Sequence, residues 1–393
     1  MVVSVIIVSY NVKYFLEQCL YSVEKALSSI APEINATPAA EILVVDNNSP
    51  DDSLNYLRPR FPRVRFIANA DNKGFGQANN QGLAGASGRY ILFLNPDTIL
   101  PEDYFSRTLA FMEATPDAGA LGVRMIDGSG RFLKESRRGF PSLRVAFCKL
   151  VGLTALFPRS RWLAEYYLGH LPENSTHPAP VLSGACMLVR RDALKKTGGF
   201  DERFFMYAED IDLSYRIEKA GYTNYYFAGT TILHFKGEST QKDARYVKLF
   251  YKAMSQFRHK HFTGIFATLF NGLVEAAIWV RAGIAAVLHW LRARPARKVS
   301  GEETAYRTWL AGDPVTTARL ADRRPFTRER VLQSDPSRAN EIIFCEGAAF
   351  SFGDCIEAFQ HTPPQVIRKI HAASSLSAVG SYSKDGRGEV ILL

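Results

Sequence analysis

Residues 3–11 read Val-Ser-Val-Ile-Ile-Val-Ser-Tyr-Asn, a nearly continuous apolar run that ends in three polar side chains. A strand without regular apolar–polar alternation is typical of a parallel sheet that is covered on both faces. The next strongly apolar segments, at residues 42–45, 64–68 and 90–94, are separated by stretches with helical character. This βαβαβαβ alternation predicts an α/β fold with a mostly parallel sheet and helices on both faces.

Short polar clusters follow three of the predicted strands. Because parallel strands place their carboxyl ends at one edge of a sheet, we expect these clusters to converge on a single ligand-binding crevice. A carboxylate at that edge can hold Mg²⁺ or Mn²⁺, although a lone Asp after a strand is more often a turn residue. The clusters are Ser9-Tyr10-Asn11, Asp46-Asn47-Asn48 and Asn95-Pro96-Asp97.

Three acidic residues crowd the start of a helix predicted at residues 210–220. They are Glu209, Asp210 and Asp212, and an aromatic-rich run precedes them at residues 204–207. The helix dipole favours acids at this end, which accounts for one or two of them. Such crowding otherwise costs free energy unless a cation, a hydrogen-bond network or a catalytic role offsets it. The segment is therefore a candidate catalytic site.

The composition is that of a globular protein in a reducing compartment. Hydrophobic residues make up 47% of the chain, which is ordinary for a folded protein, and the five cysteines are scattered with no C-x-x-C pair. That distribution favours buried free thiols over disulfides or zinc.

Residues 1–8 are apolar but lack a basic segment and a small-residue cleavage site, so we interpret them as a buried strand and not a signal peptide. We therefore expect a cytoplasmic protein.

The net charge of +9 is concentrated in one region. Residues 241–340 hold 18 Lys and Arg against 8 Asp and Glu, whereas the rest of the chain is almost neutral. No nucleic-acid motif accompanies this charge, so we expect no nucleic-acid partner. Binding to an anionic lipid surface and a solvated basic face are both consistent with the charge.

A helical apolar stripe at residues 265–291 is interrupted by charges, which favours a helix on the membrane surface over a spanning one. Packing of this helix against the α/β domain is an equal alternative.

Seven blocks of sequence together resemble family 2 glycosyltransferases of the GT-A fold. The resemblance is specific because all seven occur in the family's order within residues 2–260, and it is closest to the rhamnosyltransferase-like branch of bacterial surface-polysaccharide biosynthesis. The blocks are residues 5–11, 44–49, 72–82, 94–98, 184–190 and 209–213, and His234.

This resemblance implies an inverting enzyme of the hexosyltransferase type with a Rossmann-like GT-A sheet. A sugar would move from a UDP- or dTDP-linked donor to a hydroxyl of a glycan or polyprenyl-linked glycan acceptor, with Mn²⁺ or Mg²⁺ as cofactor. We expect a cytoplasmic enzyme, and the basic region leaves open a peripheral contact with the inner face of the cytoplasmic membrane. The alternative is a non-catalytic scaffold that binds sugar nucleotides in a polysaccharide assembly complex, which the presence of Asp97, Asp210 and His234 disfavours.

The resemblance also implies a role for each site residue. Asp210 would be the catalytic base, supported by Glu209 and Asp212. Asp97 and His234 would bind the metal, but Asn95 replaces the first acid of the family's metal motif, and the sequence departs from the family there. The implied nucleotide-sugar-binding residues are Ser9, Tyr10, Asn11, Asp46, Asn48, Asn72, Lys73, Asn79, Asn95 and Asp97.

The sequence divides into four predicted parts. Residues 1–260 form the catalytic domain, and residues 261–298 form an amphipathic helical segment suited to a membrane surface. Residues 299–340 are rich in Arg and Pro and are predicted to be a basic linker. Residues 341–393 resemble a small βαβ unit that lacks G-x-G-x-x-G, so we assign it no activity.

Overall fold

A nine-stranded sheet forms the centre of the N-terminal part of the molecule. The computed structural model describes residues 1–30, 39–140, 148, 153–157, 159–162, 165–236, 244–261, 307–323, 336–381 and 388–393. The sheet contains β1 (Val3–Ser9), β2 (Ala40–Asp46), β3 (Arg65–Ala68), β4 (Tyr90–Leu94), β5 (Thr98–Ile99), β6 (Ala118–Ile126), β8 (His177–Pro178), β10 (Cys186–Arg190) and β11 (Thr223–His234). A separate two-stranded sheet pairs β7 (Arg137–Arg138) with β9 (Val181–Leu182).

Eight helices accompany these strands within the described residues. They are α1 (Lys13–Leu27), α2 (Ser53–Leu57), α3 (Phe75–Ala84), α4 (Tyr104–Ala114), α5 (Leu153–Leu156), α6 (Arg191–Thr197), α7 (Glu209–Lys219) and α8 (Ala244–His261). Short 3₁₀ turns occur at Lys134–Ser136 and Glu165–Tyr167.

The central sheet has the strand order β3-β2-β1-β4-β10-β6-β11-β5, with β8 added beside β11. The pairings give six strands, β1 to β4, β6 and β11, the same direction, while β5, β8 and β10 run the other way. The predicted α/β fold with a mostly parallel sheet is therefore confirmed, and β5, β8 and β10 are antiparallel strands that the alternation did not predict.

Burial on both faces of the sheet explains the unbroken apolar run at residues 3–8. All seven residues of β1 are buried. Val5 and Ile7 pack on one face with α1 residues such as Leu16, while Ile6 packs on the other face with α7 residues such as Leu213. Because successive strand residues point to opposite faces, both sets must be apolar.

The C-terminal residues form a second, five-stranded sheet. Its elements are β12 (Thr308–Gly312), α9 (Pro314–Ala321), β13 (Glu341–Cys345), α10 (Phe352–His361), β14 (Ile367–His371), β15 (Ser377–Gly380) and β16 (Glu389–Leu392), with a 3₁₀ turn at Pro336–Arg338. The strands lie in chain order; β12 to β14 are parallel, and β15 and β16 are added antiparallel.

The structure corrects the predicted linker at residues 299–340. Its described part contains β12 and α9, which belong to the C-terminal sheet because Thr308 to Gly312 pair in register with Glu341 to Cys345. The Asp313 side chain accepts a hydrogen bond from Thr316 N at 2.8 Å and caps α9. Five residues between Arg-rich neighbours are too short a run to reveal a strand by periodicity.

Two further sequence predictions concern the cysteines and the amphipathic helix. All five cysteines are buried and free, as predicted. The amphipathic helix predicted at residues 265–291 lies outside the described residues. Among the helices that the structure describes, none combines the length and the hydropathy that a membrane span requires.

Candidate active site

The turns after β1 and β2 are joined by hydrogen bonds at the carboxyl edge of the sheet. Ser9 and Asp46 are register partners, and Asn47 N donates to Ser9 O at 2.9 Å. The buried Asp46 carboxylate accepts from Ser49 N at 2.9 Å and Ser49 Oγ at 2.5 Å. Ser49 Oγ in turn accepts from Asn11 N at 2.9 Å. The first two predicted polar clusters therefore form one wall of the crevice.

This wall combines left-handed backbone with side chains that are available to a ligand. Asn11 and Asn48 have φ values of 58° and 63°, a conformation that Asn tolerates better than most residues. Tyr10 is 38% exposed at the rim, so its ring can stack on a planar ligand. Ser9 Oγ is buried and has no hydrogen-bond partner in the described part of the chain. An unsatisfied buried hydroxyl at a strand end is typical of a ligand site.

The turn after β4 brings Asp97 and His234 together. Asp97 is 4% exposed, and its Oδ1 lies 3.3 Å from His234 Nε2 in a geometry that makes no hydrogen bond. Asn95 Nδ2 lies 3.5 Å from the same Nε2. The antiparallel pairing of β5 with β11 sets this arrangement, because Thr98 and His234 are register partners.

The Asp97–His234 pair fits a divalent cation. A buried carboxylate oxygen without a donor and an imidazole nitrogen are both ligands that Mn²⁺ accepts, whereas Mg²⁺ prefers oxygen. Across the described ranges there is no group of three His, Cys, Asp or Glu side chains that could hold a metal by itself. A cation at this pair would therefore need further ligands from a diphosphate or water.

The loop before α3 packs against the segment that leads to the acidic cluster. Gly74 has φ 83°, and a Cβ there would lie 2.5 Å from Phe205 O, so only glycine fits. Phe75 N donates to Phe205 O at 3.0 Å. Asn72 Oδ1 accepts from Gly74 N at 3.0 Å and so holds the turn. The loop that we predicted to contact the donor is thus coupled to the catalytic segment.

Two of the residues predicted on this loop and helix differ in exposure. Lys73 is half-buried at the start of the crevice. Asn79 is 1% exposed, and its Nδ2 donates to Phe75 O at 2.9 Å inside α3. The side chain of Asn80 links α3 to the segment before the acids, because its Nδ2 donates to Phe200 O at 2.8 Å and its Oδ1 accepts from Phe200 N at 2.9 Å.

The backbone immediately before the acidic cluster is strained. Tyr207 and Ala208 have φ values of 70° and 64°, two consecutive left-handed residues without glycine. Each such conformation costs about 1 kcal/mol or more and persists only where the surrounding structure imposes it. It turns the chain sharply into α7 and places Asp210 beside the loop at Gly184.

Asp210 is held by one cation and two backbone amides. Its Oδ2 accepts from Gly184 N at 3.2 Å and pairs with Arg138, and its Oδ1 accepts from Ile211 N at 2.8 Å. Burial lowers the pKa of Arg138, but Asp210 and Tyr166 together raise it by more, so the guanidinium remains charged. The pairing of β7 with β9 positions Arg138 for this contact.

Glu209 and Asp212 have different environments from Asp210. Glu209 is buried, its Oε2 has no hydrogen-bond partner among the described residues, and burial together with the charge of Asp210 raises its pKa to about 8. Asp212 is fully buried and accepts hydrogen bonds from Arg216, Lys260 and His261 at 2.6–2.7 Å. Burial raises the pKa of Asp212, but these neighbours lower it by more. Asp212 therefore anchors α8 to α7.

One loop connects the two halves of the site. Asn95 N donates to Ala185 O at 2.9 Å, and the adjacent Gly184 N donates to Asp210. A Cβ on Gly184 would lie 3.2 Å from the Asp210 Cβ, so glycine permits this approach. The turn that carries Asp97 and the helix that carries Asp210 thus flank the same short loop. Such an arrangement can hold a phosphorylated ligand on one side and a proton acceptor on the other.

Sequence reasoning missed Arg138 and the link through Asn80. Arg138 lies on the two-residue strand β7, 72 residues before its partner, where no periodicity or motif identifies it. The crowding of acids at residues 209–212 indicated that a nearby cation could offset their repulsion, but the sequence did not identify that cation.

Comparisons with known proteins identify the family. Residues 4–198 match the model of the family described as glycosyl transferase family 2. An N-acetylglucosaminyl-diphospho-decaprenol L-rhamnosyltransferase of Mycobacterium tuberculosis is 33% identical over 253 residues, which cover 62% of this chain and 78% of that protein. Rhamnosyltransferase WbbL of Escherichia coli (strain K12) is 26% identical over 226 residues, 54% of this chain and 79% of that protein. The solved mannosyltransferase PcManGT from Pyrobaculum calidifontis, in complex with GDP-Man and Mn²⁺, aligns with a TM-score of 0.45 and 19% identity over 84% of this chain and 82% of that one.

Proposed function

Because the chain belongs to glycosyl transferase family 2, we propose that it transfers an L-rhamnosyl residue from a nucleoside diphosphate donor to a lipid-linked glycan, with inversion. The predicted family, the α/β fold and the glycosyltransferase class are confirmed. The choice of sugar is supported by both sequence relatives, which are rhamnosyltransferases. The choice of a diphosphate-linked polyprenyl acceptor is supported by the Mycobacterium tuberculosis relative. The observation that carries the mechanism is the shared loop at Gly184 and Ala185, which flanks both Asp97 and Asp210.

Asp210 is the general base in this proposal. Its carboxylate would remove the proton from the acceptor hydroxyl while that oxygen attacks the anomeric carbon on the face opposite the leaving diphosphate. Arg138 neutralises the carboxylate in the absence of substrate and would have to weaken its contact for the base to act. Burial and the neighbouring Asp210 raise the pKa of Glu209 to about 8, which favours the neutral form of Glu209 at pH 7.

The wall formed by the turns after β1 and β2 would bind the nucleotide. Asp46 already accepts two hydrogen bonds from Ser49 and retains lone pairs for a base N–H. The exposed ring of Tyr10 would stack on the base, and the unsatisfied Ser9 Oγ would contact the ribose. Asn11, Asn48, Asn72 and Lys73 lie around the same edge, where they would contact sugar or phosphate.

Asp97 and His234 would hold Mn²⁺ or Mg²⁺ against the donor diphosphate. The bound ion would neutralise charge on the leaving group. Asn95, which replaces an acid of the family's motif, keeps its side-chain amide beside His234 Nε2 and so contributes no charge to the site. With a single carboxylate, the site should bind the metal weakly until the diphosphate supplies further ligands.

The acceptor side carries features that suit a lipid surface. Leu156, Phe157 and Trp162 are 72%, 53% and 68% exposed, and the neighbouring Arg159 and Arg161 are also exposed. Aromatic rings and Arg together favour an anionic membrane interface. This segment reaches the base through Tyr166, whose backbone oxygen accepts from Gly139 N at 2.9 Å, next to Arg138. An open cavity of about 550 Å³ lies beside it, lined by Arg161, Trp162, Glu165, Leu168 and His170.

These features support a reaction at the inner face of the cytoplasmic membrane as part of the proposal. A peripheral enzyme there would meet a cytoplasmic nucleotide sugar and a membrane-bound acceptor at the same time. The predicted helical segment at residues 261–298 would add to the contact, but apart from His261 it lies outside the described residues.

The test is turnover of Asp210→Asn against wild type with dTDP-rhamnose and UDP-sugars, a polyprenyl-diphosphate-linked N-acetylglucosamine acceptor and Mn²⁺. Loss of a general base lowers kcat by roughly 10²–10⁴-fold. Donor affinity, measured by calorimetry, should not change, because Asp210 lies across the Gly184 loop from the nucleotide wall. Asp322→Asn, an exposed carboxylate on the C-terminal unit, is the control and should match wild type. Equal turnover of Asp210→Asn and wild type would refute the assignment.

A further inference from the structure

The C-terminal α/β unit, residues 308–392, is joined to the back of the Asp97–His234 pair. Its helix α10 begins with Phe352 and Gly353, whose backbone amides donate to the two carboxylate oxygens of Glu102 at 2.8 and 3.0 Å. A carboxylate at a helix N-terminus forms charge-assisted hydrogen bonds with amides that have no partner inside the helix. The third amide of this turn, Asp354 N, is satisfied by Ser351 Oγ. Glu102 therefore completes the cap of α10 from the turn between β5 and α4, 250 residues away in the chain.

Glu102 lies on the short connection that follows Asp97. The strand β5 comes directly after Asp97 and pairs with the end of β11 through Thr98 with His234 and Ile99 with Leu233. Pro101, which is buried, restricts the chain between β5 and Glu102. A force on Glu102 is thus transmitted along few rotatable bonds to the turn that carries Asp97.

The second connection runs through Phe235, the residue after His234. Phe235 N donates to Asp97 O at 3.0 Å, so its backbone is bonded to the candidate metal ligand. Its ring is 1% exposed and packs edge-on against Phe359 of α10, with ring centroids 6.2 Å apart. On its other side it meets Phe15 of α1 at 5.3 Å. One hydrophobic cluster includes Ile99, Leu233 and Phe235 together with α10 residues.

The unit is also fastened to α1 by contacts that do not involve α10. Gln18 of α1 is fully buried; its Nε2 donates to Ser375 Oγ at 2.7 Å and to Ser377 O at 2.9 Å, and its Oε1 accepts from Ala372 N at 2.8 Å. Glu17 accepts hydrogen bonds from the hydroxyls of the same two serines. These contacts hold the unit in place without touching β5 or the end of β11. The contacts of α10 near Asp97 are therefore not needed merely to attach the unit.

We propose that the C-terminal unit braces the Asp97–His234 pair, with Glu102 and Phe235 as its positioning residues. The proposal rests on the proposed function, because the pair's role in binding the donor diphosphate is itself proposed. It assigns the C-terminal unit a task that needs no ligand of its own: the unit fixes the separation of a carboxylate and an imidazole that belong to different strands.

The test compares Glu102→Ala and Glu102→Gln with Gln360→Ala in the full chain. Gln360 lies on the same helix and contacts Arg124 at 2.8 Å, so its removal weakens the interface away from Asp97. Metal-free hydrogen–deuterium exchange is followed in peptides that cover residues 95–100, 231–236 and 352–361. Mn²⁺ alone is then titrated and monitored by the paramagnetic resonance signal of the free ion, and kcat and donor KM are measured separately.

We expect Glu102→Ala to speed exchange in all three peptides by about tenfold, as expected when a local opening becomes easier by the loss of a charge-assisted pair of hydrogen bonds. Mn²⁺ affinity and kcat should fall together, with Glu102→Gln intermediate and Gln360→Ala like wild type at residues 95–100 and 231–236. Faster exchange confined to residues 352–361 would overturn the proposal, as would no change in any peptide. A wild-type protein that binds no Mn²⁺ would refute the metal role in the proposed function but leave the exchange result to decide the brace.

Discussion

The replacement Glu209→Gln separates the roles of the two adjacent acids at the start of α7. Glu209 has a pKa of about 8, against an ordinary value of 4.5, because it is buried and faces the charge of Asp210. At pH 7 the folded protein therefore keeps Glu209 mostly protonated. A glutamine has nearly the same shape as this neutral acid, so Glu209→Gln should retain most of the wild-type kcat at pH 7.

The same pKa sets a pH dependence of stability. Between pH 4.5 and 8 the unfolded chain has ionised Glu209 while the folded chain holds the proton, so the unfolding free energy falls as pH rises. The slope is about 1.4 kcal/mol per pH unit, and the accumulated loss is at most about 5 kcal/mol near pH 8. Glutamine does not titrate, so the variant lacks this contribution. It should match wild type near pH 4.5 and exceed it increasingly up to pH 8.

Urea unfolding at pH 5, 6.5 and 8, followed by far-UV circular dichroism, measures this difference. Glu357→Gln, an exposed acid on α10, is the matched control and should leave the wild-type pH dependence in place. Parallel pH profiles for wild type and Glu209→Gln would refute the reasoning about burial. A fall in kcat as large as that expected for Asp210→Asn would instead make Glu209 the base.

Three further predictions test the surroundings of the site. Asp212→Asn should lower the unfolding free energy by about 3–5 kcal/mol, because it removes a fully buried carboxylate that pairs with Arg216 and Lys260. A urea titration that shows a loss below about 1 kcal/mol would contradict this. Gly74→Ala should reduce both stability and turnover, because its Cβ would lie 2.5 Å from Phe205 O. Gly198 has φ 75° but no atom within 4 Å of an added Cβ, so Gly198→Ala should show only the smaller cost of the backbone conformation. Equal losses in thermal unfolding for the two variants would argue against the clash. The double variant Trp162→Ala/Phe157→Ser should reduce sedimentation of the protein with phosphatidylglycerol vesicles. Leu392 is also exposed, and the control Leu392→Ser should not reduce sedimentation. Unchanged sedimentation of the double variant would remove this segment from the proposed membrane contact.

The metal-site geometry was only partly accessible from the sequence. Asp97 could be named as a candidate ligand because it lies just after a predicted strand, and His234 because of the family resemblance. Their separation of 3.3 Å depends on the register of β5 with β11, which joins residues more than 130 positions apart. Hydrophobic patterning does not encode that register, because β5 has only two residues.

The succession of buried strands at the start of the chain and the prediction of a crevice at their carboxyl edge follow from the sequence itself. A strand that is buried on both faces needs an unbroken apolar run, and each run ends where polar groups reach solvent or a ligand. The strands and their polar ends can therefore be identified from local sequence. The tertiary structure alone decided the contact of Arg138 with Asp210, the protonation of Glu209 and the cap that Glu102 places on α10. Each depends on desolvation or on a charge brought from a distant part of the chain, and electrostatic energy follows distance in space and not position in the sequence.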